Sequence, residues 1–107
     1  MAGRREVDAI GDLDGVTEVT LCGADGRVVE SSSPDPRLAG AAVTLGKAVR
    51  DVGASLPPLA GDVTLAIEAE SGALHVTQLA DATVIVSAEA DTNLGVLSME
   101  IRQALQS

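Results

Sequence analysis

Apolar positions along the chain follow two periods, and the switches between them mark out its elements. Val7, Ile10 and Leu13 recur at helical spacing, which predicts a short helix over 6–13, closed by Asp14-Gly15. From Val16 to Cys22 the pattern alternates. Thr17, Val19 and Leu21 share one face; Val16, Glu18, Thr20 and Cys22 share the other, as in a strand. Asp25-Gly26 is a hairpin signal, and 27–31 is the return strand. Asp35 before Pro36 is a favoured cap and first turn for a helix. Leu38, Ala41, Leu45, Val49 and Val52 then keep a 3.6-residue period, so the longest helix is expected over 36–54, with Pro57-Pro58 forbidding continuation.

Three alternating runs come next. Val63, Leu65, Ile67 and Ala69 share a face of 62–70, and Leu74 and Val76 share a face of 73–79. Residues 83–88 are apolar on both faces, as a central strand requires. Asp91-Thr92-Asn93 offers caps for a last helix, whose stripe is Leu94, Leu97, Ile101, Ala104 and Leu105. The order is helix, two strands, long helix, three strands, helix. It predicts an α/β (α+β) fold: a five-stranded, largely antiparallel sheet with helices on both faces. Residues 1–5 read as a flexible tail and 6–107 as one domain, with no linker or repeat to divide it.

Composition narrows the function. The chain has 107 residues, no Phe, Trp or Tyr, and a net charge of −9. Without rings there is no base-stacking platform and no aromatic cage. The acidic balance excludes a phosphate-backbone partner and disfavours anionic membrane surfaces, so no nucleic acid and no membrane insertion are expected. No run approaches the ~18 apolar residues of a membrane span, and no apolar run follows Arg4-Arg5, so a cytoplasmic protein is expected.

The catalytic inventory is thin. Cys22 and His75 are the only cysteine and histidine, and both fall inside alternating strands. Cys22 reads as a small core residue rather than a reactive thiol. His75, on a face with Thr77, reads as structural rather than a general base. Asp12, Asp14 and Glu18 only superficially resemble a calcium loop, because the positions that need oxygen ligands and a later Gly carry other residues. No Cys/His spacing suits zinc, and no glycine-rich phosphate loop is present. No cofactor, metal or enzymatic activity is expected.

The long helix is the informative segment. Gly40 and Gly46 lie inside it, each costing about 1 kcal/mol relative to Ala. Ala39, Ala42, Gly46, Arg50 and Gly53 fall near one line, a small-residue stripe on which another helix could approach closely; the chain's many Ala and Gly are the plain alternative. Arg37, Lys47 and Arg50 against Asp51 give this helix +2, which leaves −11 for the rest of the chain. A basic helix on an acidic protein would steer an acidic partner; an ordinary solvated face would look the same. The strand over 62–70 has neither Pro nor Lys to protect it at a sheet edge, so pairing with its copy is a natural cover.

Three motifs then give a resemblance over about residues 6–106. They are Leu13-Asp14-Gly15-Val16, Ala24-Asp25-Gly26-Arg27-Val28-Val29-Glu30-Ser31, and Asp91-Thr92-Asn93-Leu94-Gly95-Val96-Leu97 with Glu100-Ile101-Arg102. With the element order, they resemble the roadblock / dynein light-chain family, including its bacterial regulators of Ras-like GTPases. The resemblance implies a profilin-like α/β/α sandwich, one long helix on one face and two terminal helices on the other. It also implies homodimers joined through the long helix and the third strand. Members of this family are binding modules: some stimulate a partner's GTP hydrolysis by rearranging its switch loops, and others are scaffolds. The candidate dimer contacts are Ala39, Ala42, Val43, Gly46 and Arg50 on the helix, with Thr64, Ala66 and Glu68 on the strand. Arg37, Lys47 and Arg50 are candidates for partner contact, a small Ras-like GTPase being the partner implied. The alternatives are a scaffold subunit without GTPase regulation, a small-molecule sensor, or an enzyme built on His75 or Cys22. The aromatic-free core and the short first helix depart from the family pattern.

Overall fold

The computed structural model describes the backbone of residues 3–23, 25, 27–32, 36–55, 63–79 and 81–106, with side chains except at 36–39, 42, 43, 50, 53 and 63. Helix α1 is Arg4–Gly11, strands β1 and β2 are Val16–Gly23 and Val28–Ser31, and α2 is Pro36–Ser55. Strands β3, β4 and β5 are Val63–Ala69, Gly72–Gln78 and Ala82–Ala88, and α3 is Leu94–Gln106. The sheet runs β2-β1-β5-β4-β3, and every neighbouring pair is antiparallel.

Two separate cores hold the layers. On one face, Val7 and Ile10 of α1 and Leu97 and Ile101 of α3 pack on Val19, Leu21, Val84 and Val86. On the other, Val49 and Leu45 of α2 pack on Cys22, Val76 and Ile85. The two terminal helices therefore share one face and the long helix holds the other, the layering the sequence suggested. β5 serves both cores, which is why its residues are apolar in both directions.

Two expectations need correction. The first helix starts at Arg4 rather than residue 6 and ends at Gly11 rather than residue 13. Arg4 and Arg5, expected in the tail, form its first turn because local bonds hold them. The Glu6 carboxylate accepts the Gly3 N–H at 2.8 Å, and Arg4 pairs with Asp8 at 3.1 Å. Leu13 lies beyond the helix but still packs against the core; its N–H donates to the Ile10 carbonyl at 3.1 Å.

The second correction concerns β1. Strict alternation puts Thr17 with Val19 and Leu21. The register against β5 shifts between Val16 and Glu18, so Val16 takes that place and Thr17 is exposed. The turn before it requires glycine: Gly15 has φ +86°. Its carbonyl accepts the Glu89 N–H at 2.8 Å, tying the start of β1 to the end of β5.

Candidate functional site

The sheet has two edges, and the longer one is β3. Its register decides which way each side chain points. Leu65 stands opposite Val76 and Ile67 opposite Leu74, and both partners belong to the α2-side core. Directly opposed residues share a face, so Leu65 and Ile67 look toward the α2 side. Among the described residues they are left 40% and 42% exposed. Thr64 and Ala66 stand opposite Thr77 and His75. Thr64, Ala66 and Glu68, named from sequence as edge contacts, are therefore exposed on the α1/α3 side of the strand.

That reading leaves out Leu65 and Ile67, exposed large apolar residues of the same strand. The signal for them was present in the alternation of Val63, Leu65, Ile67 and Ala69. An apolar face of that kind predicts burial, and at an edge a further strand, a helix or a loop has to supply it.

On α2, Gly46 does not belong to an outward stripe. It is buried against the sheet, and a Cβ built on it would stand 3.7 Å from Thr83 Cγ2. It follows Leu45 by one residue and precedes Val49 by three, so it shares their sheet-facing side. Conversely, Ala41 and Val52, which share a 3.6-residue line with Leu45 and Val49, are exposed. Val52 and Ala48 lie on the outward side beside Thr44, Lys47 and Asp51, whereas Ala41 lines the groove between the helix and the sheet with Leu45 and Ile85. Lys47 is exposed, as a partner contact must be. The side chains of Arg37, Ala39, Ala42, Val43 and Arg50 lie outside the described residues. The structure thus brings together an apolar strand edge and a helix with apolar and charged outward positions on one face of the sheet.

The single cysteine and the single histidine are kept apart. Cys22 is buried in the α2-side core. His75 stands opposite Val86, on the α1/α3 side. The sheet separates them, so no Cys-His pair forms. His75 is 2% exposed, and burial lowers its pKa from the ordinary 6.5, with the Arg102 charge adding to the effect. Among the described residues no three His, Cys, Asp or Glu gather to hold a metal. No described helix is long and apolar enough to cross a membrane.

No protein-family model matches the chain, and no curated protein matches it. Solved structures do. A Roadblock/LC7 domain from Streptomyces avermitilis superposes with a TM-score of 0.73 at 22% identity, over 92% of this chain and 87% of that one. The gliding protein MglB from Thermus thermophilus gives 0.69 at 15% identity, over 97% and 87%. MglB from Myxococcus xanthus gives 0.65 at 17% identity, over 94% and 76%. The chain has the Roadblock/LC7 fold, as its motifs suggested.

Proposed function

We propose that this chain is a homodimeric protein-binding module that regulates or scaffolds a small Ras-like GTPase and acts through binding rather than through an active site of its own. The observation that carries the dimer is the uncovered β3 edge, with Leu65 and Ile67 exposed on the side of the sheet that α2 occupies. Pairing β3 with its copy would extend the sheet across two subunits and cover both residues. The outward face of α2 would lie next to that joint, with Lys47 available to an acidic partner surface. The GTPase link is supported by the fold shared with MglB and by the three motifs of the sequence. Light scattering tests the first part: a dimer is expected at micromolar concentration, and a monomer refutes it. Co-purification with a cognate small GTPase, followed by its hydrolysis rate, tests the second. Neither binding nor a change in rate would refute that part.

A further inference from the structure

Among the described residues four grooves stand out, and three carry carboxylates. Glu89 lines the groove beside the β3–β4 turn, Glu18 the one between α2 and the sheet, and Asp14, Glu89, Asp91 and Glu100 the one at the start of α3. The fourth, of about 460 Å³, carries none. Its walls are Thr64 of β3, Thr77 and Leu79 at the end of β4, and Arg102, Leu105 and Gln106 of α3. In a chain of net charge −9 this is a local reversal of sign. Arg102 makes no ion pair among the described residues.

The hydrogen-bonding polarity of the groove can be worked out from its floor. Thr77 is 9% exposed, and His75, two residues back on the same face, is buried beneath. Thr77 Oγ1 and His75 Nδ1 lie 3.4 Å apart, and His75 Nε2 is buried with no hydrogen-bond partner among the described residues. A buried N–H without an acceptor is costlier than a bare ring lone pair, so the proton belongs on Nδ1. Nδ1–H then donates to Thr77 Oγ1, and the Thr77 hydroxyl hydrogen is left for an acceptor in the groove. Arg102 offers donors only, and the Thr64 hydroxyl and Gln106 amide can donate as well. The groove presents donors and a cation, flanked by the two leucines. A guanidinium fork matches a carboxylate better than a point cation does.

We propose that this groove binds a small carboxylate bearing a short aliphatic tail. The carboxylate sits on the Arg102 guanidinium and the Thr77 hydroxyl, and the tail lies against Leu79 and Leu105. His75 is a positioning residue that aims the Thr77 hydroxyl. The site is independent of the GTPase reading and does not need the β3 edge to be paired.

The test is an NMR titration of the full chain with butyrate. Saturable shifts are expected at the amides of Thr64, Thr77, Leu79 and Leu105. For a ligand of about six non-hydrogen atoms the dissociation constant belongs in the ~millimolar range. Arg102 is exposed, so Arg102→Gln leaves the fold intact and is expected to abolish the shifts. Arg102→Lys keeps the charge but loses the fork, and is expected to weaken binding about tenfold. Thr77→Val, which keeps the shape, is expected to weaken it similarly. The ring nitrogen spectrum of His75, the only histidine, should show Nδ1 protonated. No saturable shift up to about 50 mM butyrate, or unchanged binding in Arg102→Gln, overturns the proposal. So does equal saturation of the same amides by inorganic phosphate, because the groove would then read charge alone.

Discussion

The Thr92 side chain occupies the space that a Cβ on Gly15 would need. Gly15 also has φ +86°, where a side chain is strained regardless of space. Both penalties act on one atom, so Gly15→Ala is expected to destabilise the fold by about 2 kcal/mol or more. That corresponds to a fall of ~8 °C or more in Tm. A thermal melt followed by circular dichroism checks it. Thr92→Ala, which removes the hydroxyl nearest that position together with the methyl, should recover part of the loss.

That contact also shows how legible the fold was. Gly15 belongs to the motif before the first strand and Thr92 to the motif before the last helix, and the fold presses the two together. Each was visible as a local signal, a glycine turn and a helix cap; their contact was not, since no periodicity encodes it. The same limit explains the errors. Val16 took the place of Thr17 because a bulge adds one residue that alternation cannot count. The predicted stripe of α2 does meet the sheet at Leu45 and Val49, but the helix is turned so that Gly46 also faces the sheet and Val52 does not. At β3, by contrast, alternation correctly grouped Leu65 with Ile67. What it lacked was the sheet order, which puts that strand at an edge and turns an apolar face into a candidate interface.

That edge yields a direct expectation. Ile67 is 42% exposed and outside both cores, so a lysine there costs the single chain little. In a twofold dimer the substitution appears twice. At ~1–3 kcal/mol for each poorly paired polar group, Ile67→Lys should weaken association ~30-fold or more. Light scattering should then report a monomer at concentrations where the parent chain is a dimer. The far-UV circular dichroism spectrum should be unchanged. A dimer that persists unaltered would place the interface elsewhere.

Asn93 is the cap of α3. Its Oδ1 accepts the Val96 N–H at 3.1 Å, and its carbonyl accepts the Leu97 N–H at 3.0 Å. Asn93→Ala removes the first bond and should cost about 1 kcal/mol. Asn93→Asp keeps the acceptor and suits the helix N-terminus, but Asp14, Glu89, Asp91 and Glu100 line the same groove, so it should fall between Asn93→Ala and the parent. Urea midpoints of the three proteins decide the order, and equal midpoints would show that this cap contributes nothing.

His75 makes the stability of the chain depend on pH in a calculable direction. From α3, Arg102 faces it and opposes protonation; from β5 its neighbours are Val84 and Val86, which carry no charge. From β3 the same face presents Thr64, Ala66 and the exposed Glu68. Burial comes first among the causes, and the folded ring holds a pKa below the 6.5 of the unfolded one. Between those two values the unfolded chain binds more protons. The contribution of His75 is therefore complete above pH 6.5 and lost as pH falls toward the folded pKa. The 16 carboxylates add their own acid dependence, so the test is a comparison. His75→Leu cannot titrate, and its urea midpoint should fall less than the parent's between pH 7.5 and pH 5. At pH 7.5 the variant also lacks the Thr77 contact, which separates a constant offset from the pH-dependent difference. Parallel curves for the two proteins would mean that His75 does not titrate differently on folding.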